Sequence, residues 1–265
     1  ASDNPTAGVS QQIGDLYASF LDEDKIEQLG AQPLAKDLAK IAAVSDFKQL
    51  FHLIGALERT GVSGLWGSYI DNDPGNPERY LVHLYNGGLG LPDKDYYTDE
   101  KYLDVRTEYP LHMARMFGLA GWTKADAEKS AQLILELETK IAAIHWSRVE
   151  SRDAEATYNL KTFADLKNLN PSIHWDEYLS GLGLTDSFLE WNVVMMPSFF
   201  EGLDQILVEE NLESLKTWLS WIFIRAHAPY LSKDFVSERF AFYGTTLTGQ
   251  PVNRPRWKRA VSLVE

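Results

Sequence analysis

Residues 86–97, NGGLGLPDKDYY, are the sequence feature that most restricts what this chain can fold into. Gly88 and Gly90 allow backbone conformations that other residues rarely adopt, and Pro92 fixes its own φ at about −65°. The chain is therefore predicted to turn sharply here, and rigidly specified loops of this kind often carry function. A nucleotide-binding glycine fingerprint is disfavoured, because Asp93 stands where its third glycine would fall and no Lys-Ser or Lys-Thr pair follows.

The composition is that of an ordinary folded protein with an excess of acidic residues. Of the 265 residues, 45% are hydrophobic and 24% are charged, which favours a packed domain over disorder. The net charge of −13 repels phosphate backbones and anionic membrane surfaces, so we expect no nucleic-acid partner. The chain has no cysteine, which excludes disulfides and thiolate chemistry. Its most apolar run, residues 218–224, is far shorter than the roughly 18 residues of a membrane span.

Apolar residues at helical spacing predict helices ahead of the first strand. One amphipathic helix is expected over residues 10–29 and a second over residues 33–43, and Ser45 is expected to cap a third. Between Val62 and Tyr85, two runs rich in aromatic and branched residues flank the loop-like sequence DNDPGNPE. This pattern predicts a small β-hairpin that leads into the glycine-rich segment.

After that segment the pattern is again mainly helical. Residues 101–119 predict a helix that Pro110 kinks or divides. Thr123, with Asp126 three residues later, predicts the cap of a long helix that reaches Glu150 and is the longest element of the chain.

The last hundred residues predict one weak strand among helices. Thr162 is expected to cap a short helix, residues 170–183 to form a loop, and residues 191–196 to form a short buried strand. A final helix is expected from Arg254 to the end of the chain. Three further helices are predicted over residues 198–209, 211–230 and 232–243, with the middle one apolar almost all round and therefore central. The predicted fold class is mainly α, a multi-helix lobe with a small β-hairpin.

The six histidines provide no recognisable catalytic or metal site. None is followed by glutamate in a HExxH pattern, so a zinc helix of that kind is absent from the sequence. His145 and His174 each adjoin a tryptophan, which favours packed imidazoles over ligands. His174 with Asp176 and Glu177 is the nearest approach to a metal cluster, but such a trio is more often a polar surface. From the residues alone, no catalytic, metal-binding or substrate-binding residue can be named.

Several stretches resemble the N-terminal lobe of the neprilysin and endothelin-converting-enzyme family of zinc metalloendopeptidases. The resemblance spans nearly the whole chain, and the order of its motifs makes it specific. IGDLYASFLDE at 13–23 and RYLVHLYNGGLGLPD at 79–93 are most similar to actinobacterial members. The other stretches that carry the resemblance are GLGLPDKDYY at 88–97, LETKIAAIHWSRVESRDAEATYN at 137–159, the run 218–230, and the run 240–265 with FAFYGTTLTG at 240–249 and PRWKRAVSLVE at 255–265.

The resemblance implies a two-lobe metallopeptidase fold that closes around a central chamber. In such enzymes zinc is bound by HExxH and a downstream glutamate in the C-terminal lobe, and none of those ligands is present here. Residues 1–265 would therefore be a partial, non-catalytic lobe that restricts access to the chamber, shortened at both ends. The implied partners are the catalytic lobe of the same polypeptide and peptide substrates, and the implied cofactor is a zinc ion held outside this segment. The cellular compartment stays open.

Two other functions remain possible at this level. The chain could be a free-standing helical module that binds peptides or proteins without cutting them, or a carboxylate-based hydrolase complete in itself, for which no motif is found. A HExxH sequence after residue 265 would favour the peptidase, whereas a stop codon there would favour the binding module.

Overall fold

The computed structural model describes residues 8–210 and 212–264. Within them it contains thirteen α-helices and one four-stranded sheet, which confirms the predicted mainly α fold. The strands are β1 (Trp66–Asp73), β2 (Asn76–Asn86), β3 (Leu160–Thr162) and β4 (Trp191–Val194). The helices are α1 (Val9–Leu21), α2 (Glu23–Leu29), α3 (Ala35–Ala43), α4 (Phe47–Glu58), α5 (Asp95–Thr98), α6 (Leu103–Leu119), α7 (Lys124–Ile144), α8 (Phe163–Leu169), α9 (Trp175–Leu182), α10 (Pro197–Glu209), α11 (Leu212–His227), α12 (Lys233–Arg239) and α13 (Arg256–Val264). None of these helices is both long enough and apolar enough to cross a membrane.

The N-terminal helices differ from the prediction at two caps. The single helix expected over residues 10–29 is divided, because Asp22 leaves the helical conformation and its side chain accepts a hydrogen bond from Lys25 N at 3.2 Å, starting α2. Aspartate is favoured at such caps over a helix interior. The cap of α4 is Asp46 and not Ser45, since the Asp46 carboxylate accepts from Gln49 N at 2.8 Å.

The predicted β-hairpin between Val62 and Tyr85 is confirmed and belongs to a larger sheet. β1 and β2 pair antiparallel, and most of the expected DNDPGNPE loop is strand, with only Pro74 and Gly75 between the strands. The sheet order is β1-β2-β4-β3, in which β2 and β4 are parallel. The predicted strand at 191–196 is therefore confirmed, although it ends at Val194, and β3 was not predicted.

The helices after the glycine-rich segment follow the sequence pattern with three exceptions. α6 runs undivided through Pro110. α7 is the longest element and is capped by Thr123, which accepts from Asp126 N at 3.2 Å, but it ends at Ile144 and not at Glu150 because His145 is extended. The helix predicted over residues 232–243 becomes a π-helix from Phe240 to Thr246. The predicted start at residue 211 lies outside the described residues.

The loop predicted over residues 170–183 is wrong, because α9 occupies most of it. Gly181 suggested a chain break, but it lies inside α9, where a Cβ atom would overlap His52 O of α4. Gly55 of α4 faces Tyr178 O of α9 in the same way. The two glycines permit a close crossing of α4 and α9, so they serve helix packing and not a turn.

The core is centred on α11, as its apolar sequence predicted. Its tryptophans Trp218 and Trp221 are fully buried and it contacts α3, α4, α6 and α7. At the C-terminal end, α13 packs on α1, where Arg256 Nε donates to Phe20 O at 2.6 Å and Ala260 is buried. Side chains of α11 also support the glycine-rich segment, the centre of the candidate site, since Trp218 Nε1 donates to Gly88 O and Arg225 Nη1 to Leu89 O.

Candidate functional site

Residues 86–93, here called the glycine loop, connect β2 to α5 and are held by side chains from four helices. Because no regular secondary structure pairs this backbone, its polar groups require other partners. They come from α11, the π-helix after α12, α7 through its C-cap, and α5. The bonds run from Trp218 Nε1 to Gly88 O (3.3 Å), Arg225 Nη1 to Leu89 O (3.2 Å), Tyr243 Oη to Gly90 O (3.2 Å), His145 Nε2 to Gly87 O (2.8 Å), and Gly90 N and Leu91 N to Tyr97 Oη (3.2 and 3.1 Å).

The glycines of this loop are required for two different reasons. Gly88 has φ +84°, a conformation that favours glycine, and it lies within the sharp turn that the sequence predicted. Gly90 lacks a positive φ, but a Cβ atom there would overlap the Tyr109 hydroxyl and lie 2.9 Å from Arg225 Nη1. A Cβ at Gly87 would lie 2.8 Å from the Trp66 carbonyl carbon. The loop is therefore fixed by both its backbone conformation and close packing.

A buried carboxylate, Glu138 of α7, lies beneath the loop. It accepts hydrogen bonds from Tyr97 Oη at 2.7 Å and Tyr109 Oη at 3.3 Å, and Tyr109 Oη accepts one from Trp221 Nε1 at 2.9 Å. Burial raises the pKa of Glu138, against the opposing effects of the Arg225 charge and the tyrosine hydroxyls. Burial, together with the negative charge of Glu138, raises the pKa of both tyrosines well above the usual range, so both remain hydrogen-bond donors. This network anchors the loop from below.

Sequence reasoning missed Glu138, although one signal was present. It occupies a position of the buried stripe of α7, four residues after Ile134 and three before Ile141, where an apolar side chain is expected. A charged residue at such a position is rarely buried without partners.

His145 is the packed imidazole that the sequence predicted. Its Nε2 lies 2.8 Å from Gly87 O, which only accepts, so Nε2 carries the proton and Nδ1 accepts from Asn86 Nδ2. Its ring is edge-on to Phe199, with centroids 5.1 Å apart. Burial lowers the pKa of His145 to about 4. The residue is thus a neutral brace between the end of α7 and the glycine loop.

The trio His174, Asp176 and Glu177, the nearest approach to a metal cluster in the sequence, is not arranged to hold a zinc ion. The His174 ring packs near Phe51, with centroids 5.9 Å apart, while Asp176 pairs with Lys167 at 3.3 Å. Glu177 pairs with Lys48 at 3.5 Å. Across residues 8–210 and 212–264, no group of three or more histidine, cysteine, aspartate or glutamate side chains is arranged to hold a metal ion.

Two cavities flank the glycine loop and share its outer face. The first, of about 470 Å³, contains Asp93, Arg148 and Arg152, and Arg148 Nη2 lies 2.5 Å from Asp93 Oδ2. The second, of about 520 Å³, contains Arg225 and Arg239. Both include Ser63, Leu89, Leu91, Pro92, Ile222 and Arg225.

This face is suited to binding and positioning. It presents guanidinium groups and apolar side chains on a fixed backbone. Glu138 and His145, the buried titratable groups behind it, have their hydrogen-bonding atoms occupied by tyrosines, an asparagine and the loop backbone.

Comparison with known proteins finds a family and close structural relatives. The family model described as Peptidase family M13 matches residues 1–265. Endothelin-converting enzyme 1 is 28% identical in Cavia porcellus and 27% identical in Homo sapiens, in each case over 284 residues that cover 99% of this chain. The chain spans only 37% and 36% of the length of those two proteins.

Among solved structures, the zinc metalloprotease Zmp1 of Mycobacterium tuberculosis is similar in both its open state and its inhibitor complex. Each is 44% identical with a TM-score of 0.96, covering 100% or 99% of this chain and 41% or 40% of the other. PepO from Lactobacillus rhamnosis has a TM-score of 0.75 at 18% identity over 96% of this chain and 40% of its own, which shows a shared fold.

Proposed function

Because the chain belongs to peptidase family M13, we propose that it forms the mainly helical, non-catalytic lobe of a zinc-dependent endopeptidase that cleaves peptides. The catalytic residues and the zinc ligands lie in a second lobe of the same polypeptide. The observation that carries this proposal is the similarity along the whole chain to a zinc metalloprotease. A second observation that supports the proposal is that residues 8–210 and 212–264 contain no group of side chains arranged to hold a metal ion.

The role proposed for this lobe is to enclose the chamber and restrict what enters it. The glycine loop and its two cavities supply a concave face that the buried network beneath them holds fixed. A fixed wall suits a chamber that admits extended peptides, because a folded protein cannot deform to pass it. The zinc ion supplies the Lewis-acid chemistry of peptide hydrolysis from the other lobe, and this lobe contributes access and positioning.

The role is tested by comparing cleavage of one substrate sequence as a free peptide and as part of a folded protein. The full-length polypeptide is incubated with a short peptide and with a stable folded protein that contains the same residues within a helix. We expect cleavage of the peptide on the amino side of apolar residues, loss of that cleavage with a chelator, and no cleavage of the folded protein. A destabilised variant of the folded protein is the matched control and should become a substrate when it unfolds.

The possible outcomes separate the parts of the proposal. Digestion of the folded protein as fast as the peptide would contradict the gatekeeping role. Peptide binding without any cleavage by the full-length polypeptide would contradict the enzyme assignment and favour a helical peptide-binding module.

A further inference from the structure

The larger cavity beside the glycine loop, here called the arginine cleft, combines positive charge with apolar walls. Its volume is about 520 Å³, within the range of small-molecule sites, which is about 300–1,000 Å³. Its lining includes Leu91, Pro92, Arg225, Arg239 and Tyr243 and contains no aspartate or glutamate. In a chain with a net charge of −13, a cleft with two arginines and no carboxylate is locally distinct.

Arg239 lies at the C-terminal end of α12. Within the described residues its guanidinium group forms no ion pair with a carboxylate, and its buried Nε has no hydrogen-bond partner. Its guanidinium lies 5.5 Å from the centre of the Tyr243 ring, a contact that leaves the charge uncompensated. Burial lowers the pKa of Arg239, against the opposing effect of Tyr243, and the charge of Arg225, which lines the same cleft, lowers it further. A buried donor without a partner is costly. Among the residues that carry such a side-chain atom in the described part of the chain, Arg239 is the one that lines this cleft.

Arg225 is held in place by its contacts and lines the same cleft. It donates to Leu89 O at 3.2 Å and interacts with Tyr243 and with the negative charge of Glu138 beneath the loop. Because these contacts fix the side chain, an incoming anion would meet a preorganised guanidinium. The charge of Arg225 is thus partly compensated by Glu138, whereas the charge of Arg239 has no such partner among the described residues.

We propose that the arginine cleft binds a carboxylate of a peptide whose adjacent residue is apolar. Guanidinium groups match the planar geometry of a carboxylate and bind it through paired hydrogen bonds. The apolar walls formed by Leu89, Leu91, Pro92 and Ile222 would cover the neighbouring side chain. That the ligand is a peptide rests on the proposed function, whereas the carboxylate preference rests on the cleft alone.

Three peptides distinguish the source of the carboxylate. N-acetyl-leucyl-glutamate amide carries only a side-chain carboxylate, N-acetyl-glutaminyl-leucine carries only a terminal one, and N-acetyl-leucyl-glutamine amide carries none. Binding to the 265-residue chain is followed by NMR chemical shifts or calorimetry without added zinc. We expect at least one of the two acidic peptides to bind at least tenfold more tightly than the neutral peptide, and the better of the two identifies the carboxylate. Equal binding of all three, or no binding, overturns the proposal.

Variants locate the binding in the cleft. Arg239→Gln should weaken binding of the preferred acidic peptide about tenfold, the loss of one charge-assisted bond, and Arg239→Lys should retain part of it. Arg254→Gln is the matched control, because Arg254 is exposed and lies outside the cleft. An equal loss in Arg254→Gln would show a general charge effect and overturn the site.

A second variant keeps the test valid if Arg239→Gln fails to fold. Ala226 is half-buried and lines the cleft, so Ala226→Leu should block the peptide while leaving both arginines in place. Unchanged binding in Ala226→Leu would contradict the proposed location. These measurements need no catalysis, so a full-length polypeptide without peptidase activity would overturn the proposed function and leave the carboxylate site standing.

Discussion

Replacing Gly90 by alanine tests whether the glycine loop is fixed by close packing. The added Cβ would overlap the Tyr109 hydroxyl and lie 2.8 Å from its Cζ. Neither atom can yield easily, because Tyr109 is fully buried and bonded to both Glu138 and Trp221. The variant must therefore move the tyrosine or the loop.

The expected cost follows from these contacts. Overpacking of a buried site typically costs about 1–3 kcal/mol. Displacing Tyr109 also weakens the bonds at 3.3 Å to Glu138 and at 2.9 Å from Trp221, and a buried polar group left without its partner costs about 1–3 kcal/mol. We expect Gly90→Ala to lower the free energy of unfolding by about 2–6 kcal/mol, the sum of these two effects.

Urea denaturation followed by tryptophan fluorescence measures this difference. Gly118→Ala is the matched control, because Gly118 lies in α6 and a Cβ there meets no atom within 4 Å. Alanine is favoured over glycine in a helix by about 0.5–1 kcal/mol, so the control should be neutral or stabilised. In a Tyr109→Phe background the cost of Gly90→Ala should fall by about 1–2 kcal/mol, because the bonds of the hydroxyl are already lost. Equal stabilities of Gly90→Ala and Gly118→Ala would refute the packing argument.

Three further predictions concern pH, metal binding and a helix cap. The pKa of His145 is about 4 against an ordinary 6.5, so the folded state stays neutral while the unfolded state takes up a proton. Stability should therefore be complete above pH 6.5 and fall by about 3 kcal/mol as the pH drops toward 4. His145→Gln should reduce the change in the free energy of unfolding between pH 6.5 and 4, measured by urea titration. If the change is the same in the variant, groups other than His145 cause it. Calorimetric titration of the 265-residue chain with zinc should show no submicromolar site, and a stoichiometric site lost in His174→Ala would contradict this. Asp46→Ala should destabilise the chain by about 1 kcal/mol through loss of the α4 cap, whereas Ser45→Ala should not; equal midpoints in thermal melts would count against the assigned cap.

The sequence was most informative where one residue has one physical role. Thr123 and Thr162 cap the helices they were expected to cap, because the side-chain hydroxyl accepts a hydrogen bond from a backbone N–H of the first helical turn. The sharp turn in the glycine loop and the central position of α11 were also predictable, from backbone freedom and from a helix that is apolar almost all round. Local chemistry decides these features.

The errors arose where a residue could serve two purposes. Gly181 was read as a chain break, yet it allows the backbones of α4 and α9 to approach closely. Asp22 divides a helix whose apolar spacing continues across it. In both cases tertiary packing or a local cap outweighs the periodic pattern, and a single sequence does not show which effect is stronger.

The candidate site was only partly accessible to sequence reasoning. The glycine loop was identified, but Glu138, Arg225 and Arg239 come from helices that lie far from it in the chain and meet only in the fold. Their convergence depends on how α7, α11 and α12 pack. No spacing between them in the sequence could reveal it.

The most direct test of the proposal that this chain is a non-catalytic lobe compares it with the full-length polypeptide. Zinc content and peptide hydrolysis are measured on both under the same conditions. The full-length polypeptide should hold a tightly bound zinc ion and cleave a short peptide, with activity lost on chelation and restored by zinc. The 265-residue chain should cleave nothing, with or without added zinc. Zinc-dependent cleavage by this chain alone, or its absence from the full-length polypeptide, would contradict the assignment.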